Sequence, residues 1–245
     1  MTFRAGRTTT TAIVLTLGLT ACGSGRNTTH AASSAETIPS AVLSSTVVVQ
    51  VGKTSITRAQ YEHWMRIGDA TVEMPLPGHP PPTPMDYEPP NFTACVAHLR
   101  ATSLLHESTS QLTAKCRHTY VGIKTRILRF LINGYWLREE AAEDGASVSS
   151  AEVQKEFDHI KQQSFPTEAA FQRLLAASRQ TIPDLKFAVE TQMLSAKLLK
   201  RFSKIENKES PESSEEALNK QLDEKWTPRT SCKSGYVIQA CGQHR

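Results

Sequence analysis

The side chains of this sequence with the most chemical scope are its cysteines: Cys22, Cys95, Cys116, Cys232 and Cys241. Thiols can pair, hold a metal or carry a covalent group. Cys95-x-x-His98 and Cys116-x-His118 together offer two sulfurs and two imidazoles, a set zinc accepts. The second spacing is tighter than in usual zinc knuckles, and in an oxidising compartment the same thiols pair instead. Four cysteines after Cys22 allow three pairings. The expectation adopted is nearest-neighbour pairing, Cys95 with Cys116 and Cys232 with Cys241, with no metal or other cofactor. The chain contains no G-x-S-x-G elbow, Walker loop, H-E-x-x-H or G-x-G-x-x-G. The acidic pairs Glu139-Glu140 and Glu215-Glu216 are adjacent on expected helices, do not face each other, and read as solvated surface. No catalytic residue is assigned.

An odd cysteine count leaves Cys22 over. Arg4 and Arg7 form a basic start, and Ala12–Leu19, AIVLTLGL, is an apolar run too short to span a bilayer. Leu19-Thr20-Ala21-Cys22 follows, and small residues before a cysteine resemble a bacterial lipobox. There the signal is cut before the cysteine and lipid is attached to it. The alternative is an ordinary signal peptide cut elsewhere. On the lipobox reading residues 1–21 are a lipoprotein signal peptide and Cys22 is the lipid attachment site. More than one chain makes such anchoring stable. The lipid bilayer is then a partner, and the location is the extracytoplasmic face of the cell membrane.

About 220 residues remain after residue 21, enough for one or two domains. The formal charge of +4 falls to about +2 without Arg4 and Arg7. That balance does not argue for nucleic acid, which wants a dense basic stripe.

The elements that must position these residues are mostly helices. Residues 22–45 are small and polar and read as a flexible tether. Val47–Val51, VVVQV, followed by Gly52-Lys53, reads as a strand and turn. Thr57 and Gln60 make a capping box, Ile56 and Tyr61 a staple, and a helix is expected from about Arg58 to Ile67. Residues 75–90 hold eight of the thirteen prolines and read as a stiff extended loop; a ligand for a proline-binding domain is the other reading. From Asn91 to Lys204 the pattern is helical. Cys116, Tyr120, Ile123, Ile127, Phe130, Leu131, Gly134, Leu137 and Ala141 recur at three- and four-residue steps, which predicts one amphipathic helix of about seven turns, ending near Asp144-Gly145. Ser149 and Glu152 form the next capping box, stapled by Val148 and Val153. A short helix carries Phe171, Leu174 and Leu175. Thr181 caps a last long helix with Pro183 in its first turn. Residues 206–225 read as a polar linker with a short exposed helix at its end. Residues 226–245 read as a disulfide-stapled tail, in which Ser231–Ile238 looks like a tight turn leading into a strand.

VVVQVGKTSITRAQYEHWMRIG resembles the opening of the N-terminal domain of SurA- and PrsA-type extracytoplasmic foldases. PPNFTAC, the run LREEAAEDGASVSSAEVQKEFDHIKQQSFP and FQRLLAAS…IPDLKFAVETQMLSAKLL extend the resemblance, with WTPRTSCKSGYVIQAC similar to the end of some members. It covers roughly residues 46–205 and 226–241. The fold implied is mainly α: a SurA N-terminal-like helical domain over residues 46–205, with a small β element made by the N-terminal strand and the C-terminal turn-strand unit. Such foldases insert a parvulin-type prolyl isomerase domain after the last long helix. Here only the polar stretch stands there, and no glycine occurs between Gly145 and Gly235, although such a domain's turns need several.

The resemblance therefore implies a chaperone without the isomerase domain. It would hold unfolded or partly folded exported polypeptides in an apolar helical groove by non-directional contact. Candidate client-binding residues are Trp64, Met65, Tyr135, Trp136, Phe157, Phe171, Phe187 and Met193. For any single one of them core packing is the simpler assignment. A divergent peptidyl-prolyl isomerase and a non-catalytic adaptor lipoprotein with one envelope partner are the alternatives.

Overall fold

The structure, a computed structural model, describes residues 46–71, 87, 89–102, 107–206 and 211–244. Cys22, the signal and tether, and most of the proline-rich loop lie outside the described residues.

β1 (Val47–Val51) and β2 (Thr54–Thr57) form a hairpin around Gly52-Lys53. Gly52 has φ +51°, a conformation glycine adopts without steric cost. A register shift between Val47 and Val49 marks an irregularity in β1, and Val48, Val49 and Val51 are all buried. On the other edge β1 pairs antiparallel with β3 (Thr230–Cys232), with Val49 opposite Cys232 and Val51 opposite Thr230. The sheet order is β2-β1-β3, so a strand near the chain's end completes the sheet begun at its start.

Seven helices complete the described structure, which is mainly helical. α1 (Arg58–Thr71) starts at the Thr57/Gln60 capping box: the Thr57 amide donates to Gln60 Oε1 at 2.8 Å, and the Gln60 amide to Thr57 Oγ1 at 3.2 Å. Ile56 and Tyr61 are both buried beside it. α2 (Thr93–Thr102) is tied to the long α3 (Thr109–Glu143) by the Cys95–Cys116 disulfide, Cα to Cα 6.0 Å. α3 begins two turns before its apolar stripe, at a Ser108/Gln111 capping box, and ends at Asp144 ahead of Gly145, φ +63°. α4 (Ser150–Ser164) has the Ser149/Glu152 box complete. α5 (Glu168–Ser178) is capped by Thr167, and α6 (Ile182–Glu206) by Thr181, whose hydroxyl and amide both donate to Asp184.

Two expectations for the C-terminal part are corrected. The stretch expected as a linker is α7 (Pro211–Trp226), a sixteen-residue helix packed on α3 and α6. Ser214, Leu218, Leu222 and Trp226 are buried along it. Their spacing of four is helical, but charged and polar neighbours dilute the pattern. The strand in the tail lies before the turn, at Thr230–Cys232. The turn itself is present, with the Tyr236 amide donating to the Lys233 carbonyl at 2.9 Å and Gly235 at φ +85°. Cys232 and Cys241 are bonded, Cα to Cα 5.8 Å, so both expected pairings occur.

The main core lies between the sheet, α1, α3, α6 and α7. A second cluster surrounds the α2–α3 disulfide, with Phe92, Val96 and Leu112. A third joins α4, α5 and the first half of α6 through Val153, Phe157, Phe171 and Val189.

Candidate functional site

The eight residues expected to line a groove fall into three places. Trp64, Tyr135 and Phe187 meet in an aromatic cluster between α1, α3 and α6. Phe130 lies 4.8 Å from Trp64, and Phe187 lies 5.8 Å from Trp64 and 6.0 Å from Tyr135, centroid to centroid. Arg138 covers the cluster, its guanidinium 4.7 Å from the Phe187 centroid, and is itself held by Glu190, with Nε donating to Oε1 at 3.0 Å. Gly134 makes this approach of α3 and α6 possible. A Cβ there would come within 2.6 Å of Phe187 Cζ. Met65 is buried in the same main core.

Trp136 stands elsewhere. It is 2 % exposed, and its indole Nε1 donates to Thr230 Oγ1 at 2.8 Å. That hydroxyl donates in turn to the Trp226 carbonyl at 2.8 Å. The indole therefore binds the sheet's third strand to α3.

Phe157 and Phe171 pack edge to face, 6.0 Å apart, in the core of the α4–α5 lobe, with Met193 at its border. Trp64, Met65, Tyr135, Trp136, Phe157 and Phe171 are thus buried, and Phe187 and Met193 are half-buried. Physical necessity explains this. With only small cores available, a chain rich in polar residues must spend its aromatics on packing. Partly accessible apolar side chains border the main core as well as the α4–α5 lobe; around the lobe they are Val148, Ile160, Phe165, Leu175, Leu185 and Met193, which surround four buried residues.

One polar site went unread in the sequence. Glu140, expected at the surface, is 3 % exposed. It accepts from Trp226 Nε1 at 2.7 Å and pairs with Lys225 Nζ at 2.7 Å. Lys225 also pairs with Glu143 at 2.7 Å, and Glu143 with Arg229 at 2.9 Å. The Lys225 hydrogen bond holds the Glu143 carboxyl below its usual value. Burial lowers the Lys225 ammonium, but hydrogen bonds to Glu140 and Glu143 outweigh it, and the net shift is upward. Trp226 lies 86 residues from Glu140 in sequence, so no local spacing reveals the site. Glu139, its neighbour, turns the other way and accepts from the Thr54 hydroxyl.

His63 on α1 approaches Asp184 at the start of α6, Nε2 lying 2.9 Å from each carboxylate oxygen. Asp184 is buried and already accepts from the Thr181 amide at 2.7 Å. The pair joins two helices, and the Asp carboxylate sits where the helix dipole favours it. A cleft of about 300 Å³ between α3, α6 and α7 is lined by Arg129, Asn133, Trp136, Ser195, Asn219 and Asp223, a mainly polar set. Among the described residues no group of three or more His, Cys, Asp or Glu is arranged to hold a metal. The sulfurs of Cys95 and Cys116 are joined to each other.

Comparison with protein-family models, with curated proteins and with solved structures gave no match.

Proposed function

We propose that this chain is a lipid-anchored extracytoplasmic polypeptide-binding protein, a foldase-type chaperone acting without an isomerase domain. The observation that carries the reading is the junction after α6. α6 ends at Glu206 and α7 begins at Pro211, packed back against α6 and α3. In the foldases that the sequence resembles, this is where the catalytic domain is inserted. Here the chain returns directly to complete the sheet. Two disulfides suit an oxidising compartment outside the cytoplasm. Client contact falls to the half-covered rim of the α4–α5 lobe, since most of the aromatics first considered are spent in the cores. Contact of that kind is weak and tolerant of sequence.

The test is suppression of aggregation. The soluble chain from Gly23, mixed with several unrelated unfolded proteins, is expected to reduce light scattering for all of them. Replacing Phe165 and Leu175 together by serine is expected to weaken the effect. Protection of none of the clients sinks the reading. Capture of one envelope protein alone points to the adaptor, and proline isomerisation above the uncatalysed rate in a short peptide points to the isomerase.

A further inference from the structure

The long helix α3 has a second property that its core-facing stripe conceals. From Thr109 to Arg138 it contains Lys115, Arg117, Lys124, Arg126, Arg129 and Arg138 and no aspartate or glutamate. The first acidic residue is Glu139. Between Gln111 and Arg126 the solvent face exposes Lys115, Arg117, His118 and Arg126, with Ala114, Val121 and Gly122 between them. Val121 is 50 % exposed, the most exposed large apolar side chain described. Arg100 joins the same end of the helix, donating to Thr109 Oγ1 at 2.6 Å. Among the described residues the one ion pair on this face is Lys115 with Glu107, at 2.6 Å. Arg117, Lys124 and Arg126 make no ion pair with a described carboxylate. Lys124 is half-buried, and burial lowers its ammonium below the usual value, while Arg117 and Arg126 are exposed. Packing needs explain the buried side of α3 and leave its outer face free to take either sign of charge. A mixed, salt-bridged face is the ordinary outcome on such a helix.

We propose that this face of α3 docks on an anionic phospholipid surface. The charge is complementary to lipid phosphates. The small apolar strip around Val121 can meet the headgroup level without exposing anything larger to water. The inference rests on the envelope location proposed above: a tethered domain meets a bilayer at high effective concentration, and a one-signed face sets which side it presents. It does not depend on client binding. The rim of the α4–α5 lobe is carried by other segments of the chain.

The experiment uses the acyl-free chain from Gly23, which contains every described element, and sedimentation with vesicles. Binding is expected to vesicles of phosphatidylcholine with about a third phosphatidylglycerol, and to be lost in high salt, because exposed charges are screened beyond roughly 10 Å at 0.1 M salt. Lys115→Glu, Arg117→Glu and Arg126→Glu combined, with helicity checked by circular dichroism, are expected to weaken binding by at least roughly 100-fold, about fivefold for each cation lost and more for the carboxylates gained. Reversing three lysines or arginines elsewhere, Lys155, Arg173 and Lys200, controls for net charge and is expected to leave most binding intact. Equal binding to pure phosphatidylcholine, an unaffected triple variant, or a control variant that loses as much overturns the proposal. So does tighter binding to polyglutamate or an oligonucleotide than to the vesicles at equal salt, which would assign the face to a soluble polyanion. Mass spectrometry of Cys22 from membranes tests the anchor separately. An unmodified Cys22 with intact vesicle binding leaves this inference standing and the anchor reading fallen.

Discussion

The α4–α5 lobe and the closure formed by β1, β3 and α7 are built by opposite means. In the lobe, each helix begins on its own signal, Ser149 with Glu152 or Thr167 alone, and its core joins residues no more than a few turns or one helix apart. In the closure, Val49 lies opposite Cys232, Trp136 bonds Thr230, and Glu140 receives both Lys225 and Trp226. Local contacts form at little loop-closure cost, while the closure must gather distant segments before any of its contacts forms. The lobe is therefore expected to open independently, and the closure to carry the global stability.

Trp226 provides the strongest way to break that contrast. It is 1 % exposed, packs at the start of the last turn before β3, and donates to Glu140. Trp226→Ala removes a large apolar body and one of the bonds to a buried carboxylate, a loss of about 3–5 kcal/mol. The urea midpoint should fall steeply, and amides of β1 should lose exchange protection together with those of β3. Phe171→Ala deletes a comparable side chain, 1 % exposed, from the lobe. Its exchange loss is expected to stay within α4, α5 and the first half of α6. Loss of β1 protection in Phe171→Ala would show that the two regions unfold as one.

Gly134→Ala sharpens the comparison at the border, where α6 serves both regions. The added methyl would lie 2.6 Å from Phe187 Cζ, but the ring can tilt, so the expected cost is that of an overpacked core, about 1–3 kcal/mol. Phe187→Leu should recover part of it, so that the double variant is more stable than the sum of the two single effects. Strict additivity in a double-mutant cycle would mean that the ring and the glycine do not constrain each other.

The same contrast decides what the sequence could disclose. Capping boxes at Thr57 and Ser149, the cap at Thr181, the apolar stripe of α3 and the Gly235 turn are local, and each stands where its residues put it. The nearest-neighbour cysteine pairing is also a local choice, and both bonds follow it. α7 was hidden because four buried positions sit among acidic and amide residues, and only packing on α3 and α6 makes them a core face. Glu140 was hidden for the same reason: its partners arrive from the other end of the chain. The candidate groove was legible as a set of apolar residues, but periodicity cannot tell a helix face turned to a ligand from one turned to a core. The one-signed face of α3 was masked by averaging, since the acidic residues of α7 and of the end of α3 offset it in the total charge of +4.

The smallest expected effect concerns the lobe's own entry signal. Hydrogen bonding by the Ser149 backbone, then by Lys197 and the Ser149 hydroxyl, holds the Glu152 carboxyl down at about 2, from an ordinary value of 4.5. The ionised form is thus favoured in the folded chain. Its contribution is fully present above pH 4.5 and is lost as the pH falls from there toward 2. Ser149→Ala should cost about 1 kcal/mol at neutral pH by removing the cap. Glu152→Gln should be destabilising at pH 7 and much less so at pH 2.5, where the unfolded chain's carboxyl is already protonated and the folded one, held at about 2, is beginning to follow. Glu143 and Glu168 are also held low, by Lys225 and Lys161, so the wild-type stability curve bends in the same acid window. The readout is therefore the difference between wild type and Glu152→Gln, measured by urea unfolding at each pH with a probe in α4. A difference that does not shrink below pH 4 would mean that the charge of Glu152 is not what fixes the start of that helix, and that the lobe's independence rests on its small aromatic core alone.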